Sequence, residues 1–201
     1  MSIFITFEGG EGSGKSTQAK MLYRRLLHLN IPAVLTFEPG GTPLGDRICR
    51  WVKRGGDISP ETELLLFNAS RAQLVRELIQ PALLAGKIVI CDRYTESTSA
   101  YQGYGRGLDL EMTKSINNIA TGGLQPNLII LMDINPAAGL ARKNPEQNDR
   151  FEKEELAFHQ RVRQGFLEMA RGEPHLWLVV DAGNDMKGIA QIIWQRVSTL
   201  L

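Results

Sequence analysis

The chain has 201 residues, 43% of them hydrophobic and 22% charged, with 23 Lys+Arg against 22 Asp+Glu for a formal net charge of +1. These values fit a single globular domain over residues 1–201 with a sizeable core, and they exclude disorder and collagen-like repeats. The balanced charge lacks the basic excess of a nucleic-acid binder, two cysteines cannot frame a disulfide scaffold or a four-cysteine zinc site, and no run approaches the ~18 apolar residues of a membrane span. A cytoplasmic protein with neither nucleic-acid nor membrane partners is expected.

The first strand is expected at Ile3–Phe7, an apolar, β-branched run. Directly after it comes Gly9-Gly10-Glu11-Gly12-Ser13-Gly14-Lys15-Ser16, which fits G-x-x-x-x-G-K-[ST]. A helix follows over Ser16–Leu29, where Ala19, Leu22, Leu26 and Leu29 recur three and four apart along one stripe. In that strand–loop–helix setting the glycines let successive N–H groups point at one anion, and the helix dipole adds to them. The residues expected to hold a nucleoside triphosphate are Gly9, Gly10, Glu11, Gly12, Ser13, Gly14, Lys15, Ser16 and Thr17. Lys15 would reach the β- and γ-phosphates and Ser16 would bind Mg²⁺.

Further strands are expected at Ala33–Phe37, Ile88–Cys91, Leu128–Met132 and Trp177–Val180. Helices are expected at Pro60–Ala85 with a break or kink near Pro81, then at Leu110–Thr121, Lys153–Arg171 and Met186–Leu200. Strand–helix alternation predicts a layered α/β fold with a parallel sheet and ligands at the carboxyl ends of its strands. The third strand ends in Asp92-Arg93-Tyr94. There an acid can order Mg²⁺ or its waters while a guanidinium forks onto a second phosphate. The guanine-reading tetrapeptide N-K-x-D is absent, which disfavours a GTPase. The polar stretch from Arg142 to Arg150 interrupts two helical patterns and reads as a short lid at about 142–150.

With these features in place the chain resembles the bacterial-type thymidylate (dTMP) kinases nearly end to end. The resemblance runs through Phe4-Ile5-Thr6-Phe7-Glu8-Gly9, Glu38-Pro39-Gly40-Gly41-Thr42, Leu66-Phe67-Asn68-Ala69-Ser70-Arg71 and Asp92-Arg93-Tyr94. It continues in Ala100-Tyr101-Gln102-Gly103, Gly105-Arg106-Gly107 and Asp149-Arg150-Phe151-Glu152. It implies a P-loop NTPase fold of the nucleoside monophosphate kinase type, with a five-stranded parallel sheet flanked by helices. The implied reaction is ATP + dTMP → ADP + dTDP with Mg²⁺, a step of dTTP biosynthesis, usually in a homodimer.

The resemblance also implies roles. Phe67 would stack on thymine, and Arg71, one helical turn on, would donate to a thymine carbonyl. Glu38, Thr98 and Tyr101 would line the dTMP site, with Glu11 at the sugar 3′-hydroxyl and Arg93 on the dTMP phosphate. Asp92 would join Ser16 at the metal. With no arginine in the phosphate loop, charge in the transition state would come from Lys15, Arg93 and the lid residues Arg142, Lys143 and Arg150. Val180-Asp181-Ala182-Gly183-Asn184 resembles the loop that packs on adenine. The family usually has arginine where this chain has Phe37, and a further one where it has Cys49. Alternatives are another P-loop nucleoside monophosphate kinase, or an ATP-dependent switch protein that hydrolyses without an acceptor.

Overall fold

The computed structural model describes residues 2–54, 58–143 and 150–201. Five short Ile-, Val-, Leu- and Phe-rich runs form β1 (Phe4–Glu8), β2 (Ala33–Phe37), β3 (Ile88–Asp92), β4 (Leu128–Asp133) and β5 (Trp177–Asp181). They make one sheet in the order β2-β3-β1-β4-β5, every neighbouring pair parallel. The three inner strands are buried along nearly their whole length, as a sheet covered on both faces requires. Four strands run one residue beyond the apolar stretches, ending on Glu8, Asp92, Asp133 and Asp181. The carboxylate ends the hydrophobic pattern but not the ladder, so the sheet's carboxyl edge is lined with acids.

The helices are α1 (Lys15–His28), α2 (Pro43–Arg54), α3 (Pro60–Leu74), α4 (Gln80–Leu84), α5 (Thr95–Thr98), α6 (Leu110–Thr121), α7 (Pro136–Ala141), α8 (Leu156–Gly172) and α9 (Met186–Ser198). Alternation along the strands divides the core between two faces. Ile5, Phe7, Ile88, Ile90, Leu128 and Ile130 pack with Leu22 and Leu26 of α1 and Ile193 of α9. On the other face Phe4, Val89 and Cys91 meet Leu74 and Ile79, while Ile129 and Leu131 meet Phe158, Val162 and Phe166 of α8.

The helix continues through Pro81, and the irregularity near it takes the form of a π-helical stretch at Val75–Ile79 that joins α3 to α4. Proline lacks an N–H and crowds the carbonyl four residues back, and a locally widened turn accommodates both. Helices α2 and α7 lie outside the expected set: α2 does carry Leu44, Ile48, Trp51 and Val52 three and four apart, while α7 has only six residues, too few to show a stripe. No helix among the described residues is long and apolar enough to cross a membrane.

Candidate active site

At the end of β1 the phosphate loop turns into α1. The helix starts from Gly14 in the left-handed region with no side-chain cap. By contrast α3, α6, α7 and α9 are capped by Ser59, Asp109, Asn135 and Asp185. The first-turn N–H groups of α1 are thus left for an anionic ligand. The loop lies directly on α7: a Cβ on Gly12 would fall 1.9 Å from the Gly139 carbonyl oxygen, and one on Gly139 would fall 2.2 Å from that of Glu11. Two backbones meet there because neither residue has a side chain. The Lys15 ammonium donates to the Gly10 carbonyl at 2.7 Å and to the Ser13 hydroxyl at 3.2 Å. Burial, reinforced by Arg93, lowers its pKa to about 8 against the opposing pull of Glu11, Asp92 and Glu8.

Across the β1–β3 pair, Phe7 stands beside Asp92. This register brings the Ser16 hydroxyl into a hydrogen bond with Asp92 Oδ2, so the two expected metal ligands share one spot beside the loop. A hydroxyl and a carboxylate are hard oxygen donors, which suits a divalent cation that keeps most of its waters and takes phosphate oxygens.

Arg93 follows with φ 75°, left-handed for a residue that has a Cβ. Partners on both sides hold it. Its backbone N–H donates to Phe7 at 2.9 Å, and the next N–H, of Tyr94, donates to Glu8 at 2.7 Å. Its guanidinium donates to Gly9 O and Ser97 Oγ at 3.1 Å, to Glu11 Oε1 at 2.8 Å and to Tyr101 Oη at 3.2 Å. Tyr101 in turn donates to Glu11 at 2.7 Å. Burial pushes the Glu11 carboxyl up, but Arg93, Lys15 and Tyr101 outweigh it and hold the group at about 2. Glu11 is therefore ionised at neutral pH.

Two cavities open on either side of this ion pair. One is lined by Glu11–Thr17, Ala19, Lys20, Cys49, Asp92, Arg142 and Lys143. The other is lined by Phe67, Arg71, Ser97, Thr98, Tyr101, Gln102 and Phe151. Glu11, Glu38, Pro39, Lys53 and Arg93 belong to both and form the wall where they meet. The sheet thus places a loop for a triphosphate beside an aromatic-walled pocket for a second ligand.

The second cavity is lined by all seven residues expected at the dTMP site. Phe67 faces Phe151, ring centres 5.9 Å apart. A second π-helical stretch, Ser99–Gly105, continues α5 and presents Tyr101 and Gln102 together with Thr98. Arg71 departs from expectation in one respect: every N–H of its guanidinium is already engaged. The partners are Glu38 at 2.8 Å, Asn68 at 3.1 Å, Asn117 at 2.8 Å, the Tyr94 carbonyl at 3.0 Å and Thr98 at 2.8 Å. Donation to a base would require exchanging one of them. Burial raises Glu38 to about 7 in spite of its Arg71 partner. Sequence reasoning missed Gln102. Its amide nitrogen donates to Glu63 at 2.6 Å, while its buried Oε1 has no hydrogen-bond partner among the described residues. A buried amide oxygen left unpaired can accept a donor from a ligand or from water.

At the lid, Arg142 lines the phosphate-loop cavity as expected and donates to the carbonyls of Gly12 at 3.4 Å and Ala182 at 3.1 Å. It thereby joins the phosphate loop to the loop after β5. Lys143 lines the same cavity and pairs with Glu152 at 2.7 Å. Arg150 does not join them. It pairs with Glu63 of α3, a fully buried acid that attracts the guanidinium away from the triphosphate side. Residues 144–149, the rest of the expected lid and Asp149 of the motif, lie outside the described residues. Phe37 is 48% exposed, its ring over Gly40, and Cys49 lines the phosphate-loop cavity, so neither position supplies a cation.

Comparison with known proteins agrees with this geometry. A family model described as thymidylate kinase matches residues 7–193. The chain is 56% identical over 203 residues to a thymidylate kinase of Dehalococcoides mccartyi strain 195, covering 100% of this chain and 98% of that one. It is 47% identical over 199 residues to one of Synechococcus sp. strain JA-3-3Ab, covering 99% and 97%. Its fold matches the crystal structure of thymidylate kinase from Ehrlichia chaffeensis with a TM-score of 0.80, at 32% identity and coverage of 100% and 99%. The chain belongs to the thymidylate kinase family.

Proposed function

We propose that this chain transfers the γ-phosphoryl group of ATP to dTMP, giving ADP and dTDP, a step that supplies dTTP. The carrying observation is the shared wall: Glu11 and Arg93 belong both to the phosphate-loop cavity and to the aromatic cavity, so two nucleotides can meet end to end there. A monophosphate with a second pKa near 6 is already mostly dianionic at neutral pH, so its oxygen needs no general base. That oxygen attacks the γ-phosphorus in line as the bond to the β–γ bridging oxygen breaks. The protein's part is positioning and charge neutralisation by Lys15, Arg93 and Arg142. Ser16 and Asp92 would hold Mg²⁺, which would neutralise phosphate oxygens of ATP.

In the acceptor cavity Phe67 stacks on the base and ionised Glu11 accepts from the sugar 3′-hydroxyl. Gln102 Oε1 accepts from the ring N3–H, a donor that cytosine lacks. Thr98 accepts from Arg71 and keeps its own proton for a base carbonyl, so Arg71 reads the base through Thr98. Cys49 and buried Cys91 form no disulfide, which fits the reducing cytoplasm. Leu44 and Trp51 of α2 and Leu65 of α3 are exposed, and they suit a homodimer face. A coupled ADP-release assay across dTMP, dUMP, dCMP, dGMP and UMP tests the activity. dTMP should be the fastest acceptor. Faster turnover of dCMP, dGMP or UMP, or ATP hydrolysis indifferent to dTMP, would refute it.

A further inference from the structure

We infer that Glu63 sets the acceptor cavity's preference for a base with a ring N–H, as a positioning residue that acts through Gln102; the inference rests on the base reading proposed above. Glu63, Phe67 and Arg71 are four apart on α3 and so follow one another along one helix face. Phe67 and Arg71 line the cavity, and Glu63 stands one turn before them, its side chain 0% exposed. The two ends of a side-chain amide are nearly the same size, so the polarity of a neighbour decides which way the group faces. Gln102 lines the cavity and is itself buried. Its Nε2 donates to Glu63 Oε1 at 2.6 Å, and the oxygen at the other end of the amide has no hydrogen-bond partner among the described residues.

Glu63 also accepts from Arg106 on both of its oxygens, at 3.4 Å each, and pairs with Arg150 through Oε2. Held between two guanidinium groups it is a carboxylate, with oxygens to accept and no proton to give. Gln102 can meet it only through its NH2, which leaves the acceptor end for the cavity. A pocket polarised in this way takes thymine, whose ring nitrogen carries a proton, and turns away cytosine, whose ring nitrogen is itself an acceptor. Glu63→Gln keeps the shape and reverses the polarity. The new amide has a single oxygen, and the Oε2 position, facing Arg150 and Arg106 Nη2, is where two guanidinium groups hold it. Its NH2 then takes the Oε1 position and points at Gln102, which must turn its oxygen inward and its NH2 to the cavity. Arg106 keeps a second carboxylate, Glu154, at 2.6 Å.

The test is kcat/KM for dTMP and dCMP in wild type, Glu63→Gln, Gln102→Leu and the double variant. We expect the dTMP-to-dCMP ratio to fall about tenfold or more in Glu63→Gln, one hydrogen bond being lost to thymine and one offered to cytosine. Added to Gln102→Leu, the same substitution should change the ratio by no more than about twofold, because no amide remains to turn. Equal losses for both nucleotides would mean that Glu63 only supports packing, and a ratio change that persists without Gln102 would mean that it acts by another route; both overturn the inference. Should Glu63→Gln not fold, the wild type still decides by NMR, the Gln102 side-chain amide being assigned by its loss in Gln102→Leu. That amide should exchange slowly with solvent and barely shift on titration with thymidine, whereas a large shift would put the nitrogen at the base and overturn the inference. Two controls keep the readings apart. A wild type inactive on dTMP, or a ratio untouched by Gln102→Leu, sinks the base reading and this inference with it. An active wild type with a Gln102→Leu effect but none from Glu63→Gln sinks only the role of Glu63.

Discussion

Replacing Gly139 with alanine sets two effects of opposite sign against each other. Gly139 lies in α7 without a positive φ, so helix propensity alone favours alanine by up to ~1 kcal/mol. The new methyl, however, would stand 2.2 Å from the Glu11 carbonyl oxygen and 3.2 Å from Ile134 Cγ2, where ordinary contact begins near 3.4 Å. About 1.2 Å must therefore be found between two backbones rather than in the tip of a flexible side chain. Overpacking of that kind costs about 1–3 kcal/mol, more than the propensity gain. The phosphate loop must yield, and a displacement of about 1 Å in a positioning element costs on the order of 10²-fold in rate. We therefore expect Gly139→Ala to lower kcat/KM for ATP about 10²-fold in a coupled ADP-release assay and to lower Tm by roughly 2–8 °C. Gly172→Ala is the control, because a Cβ at that helical glycine meets nothing within 4 Å and no clash opposes propensity there. A Gly139→Ala protein that melts higher and keeps its kcat/KM would refute the backbone contact.

Two further outcomes follow from the site. Burial, with Arg93 beside it, lowers the Lys15 pKa to about 8 from an ordinary 10.5, and a bound triphosphate favours the protonated form. The ammonium is present below pH 8 and lost above it, so ATP affinity should fall as pH rises past 8, by at most about tenfold per unit. Binding at pH 9 should then take up a proton, read as a calorimetric heat that depends on the buffer's ionisation enthalpy; no such dependence at pH 9 would contradict the shifted lysine. Gln102→Leu removes the orphan acceptor, at a cost of about 1–3 kcal/mol for a buried hydrogen bond left unmade. The dTMP-to-dCMP ratio of kcat/KM should narrow by about tenfold or more, and an unchanged ratio would remove Gln102 from base recognition.

Patterns that are local in the chain are legible in the sequence itself. The phosphate loop sits between a strand and a helix that each show their own periodicity, and Asp92-Arg93 marks the end of an apolar run. Features that depend on distant partners are not legible there. The unpaired oxygen of Gln102 exists because its nitrogen is held by Glu63, thirty-nine residues away. The engaged state of Arg71 depends on Glu38, Tyr94, Thr98 and Asn117 converging from separate segments. Arg150 illustrates the same limit: a basic residue in a polar run looks free to reach a phosphate until a buried carboxylate is found facing it. The residues that the resemblance implies for the acceptor site do converge in space, since Glu11, Glu38, Phe67, Arg71, Arg93, Thr98 and Tyr101 all line one cavity.

The Arg93–Glu11 ion pair has a thermodynamic consequence for how substrates are taken up. Both members border both cavities, so a nucleotide that displaces their bonds from one side acts on groups that the other nucleotide faces. The two binding equilibria are therefore linked through a common element, and linkage is reciprocal: whatever factor ATP applies to dTMP affinity, dTMP applies to ATP affinity. Raising either substrate therefore shifts the apparent affinity for the other, and the size of that shift is the same measured from either side.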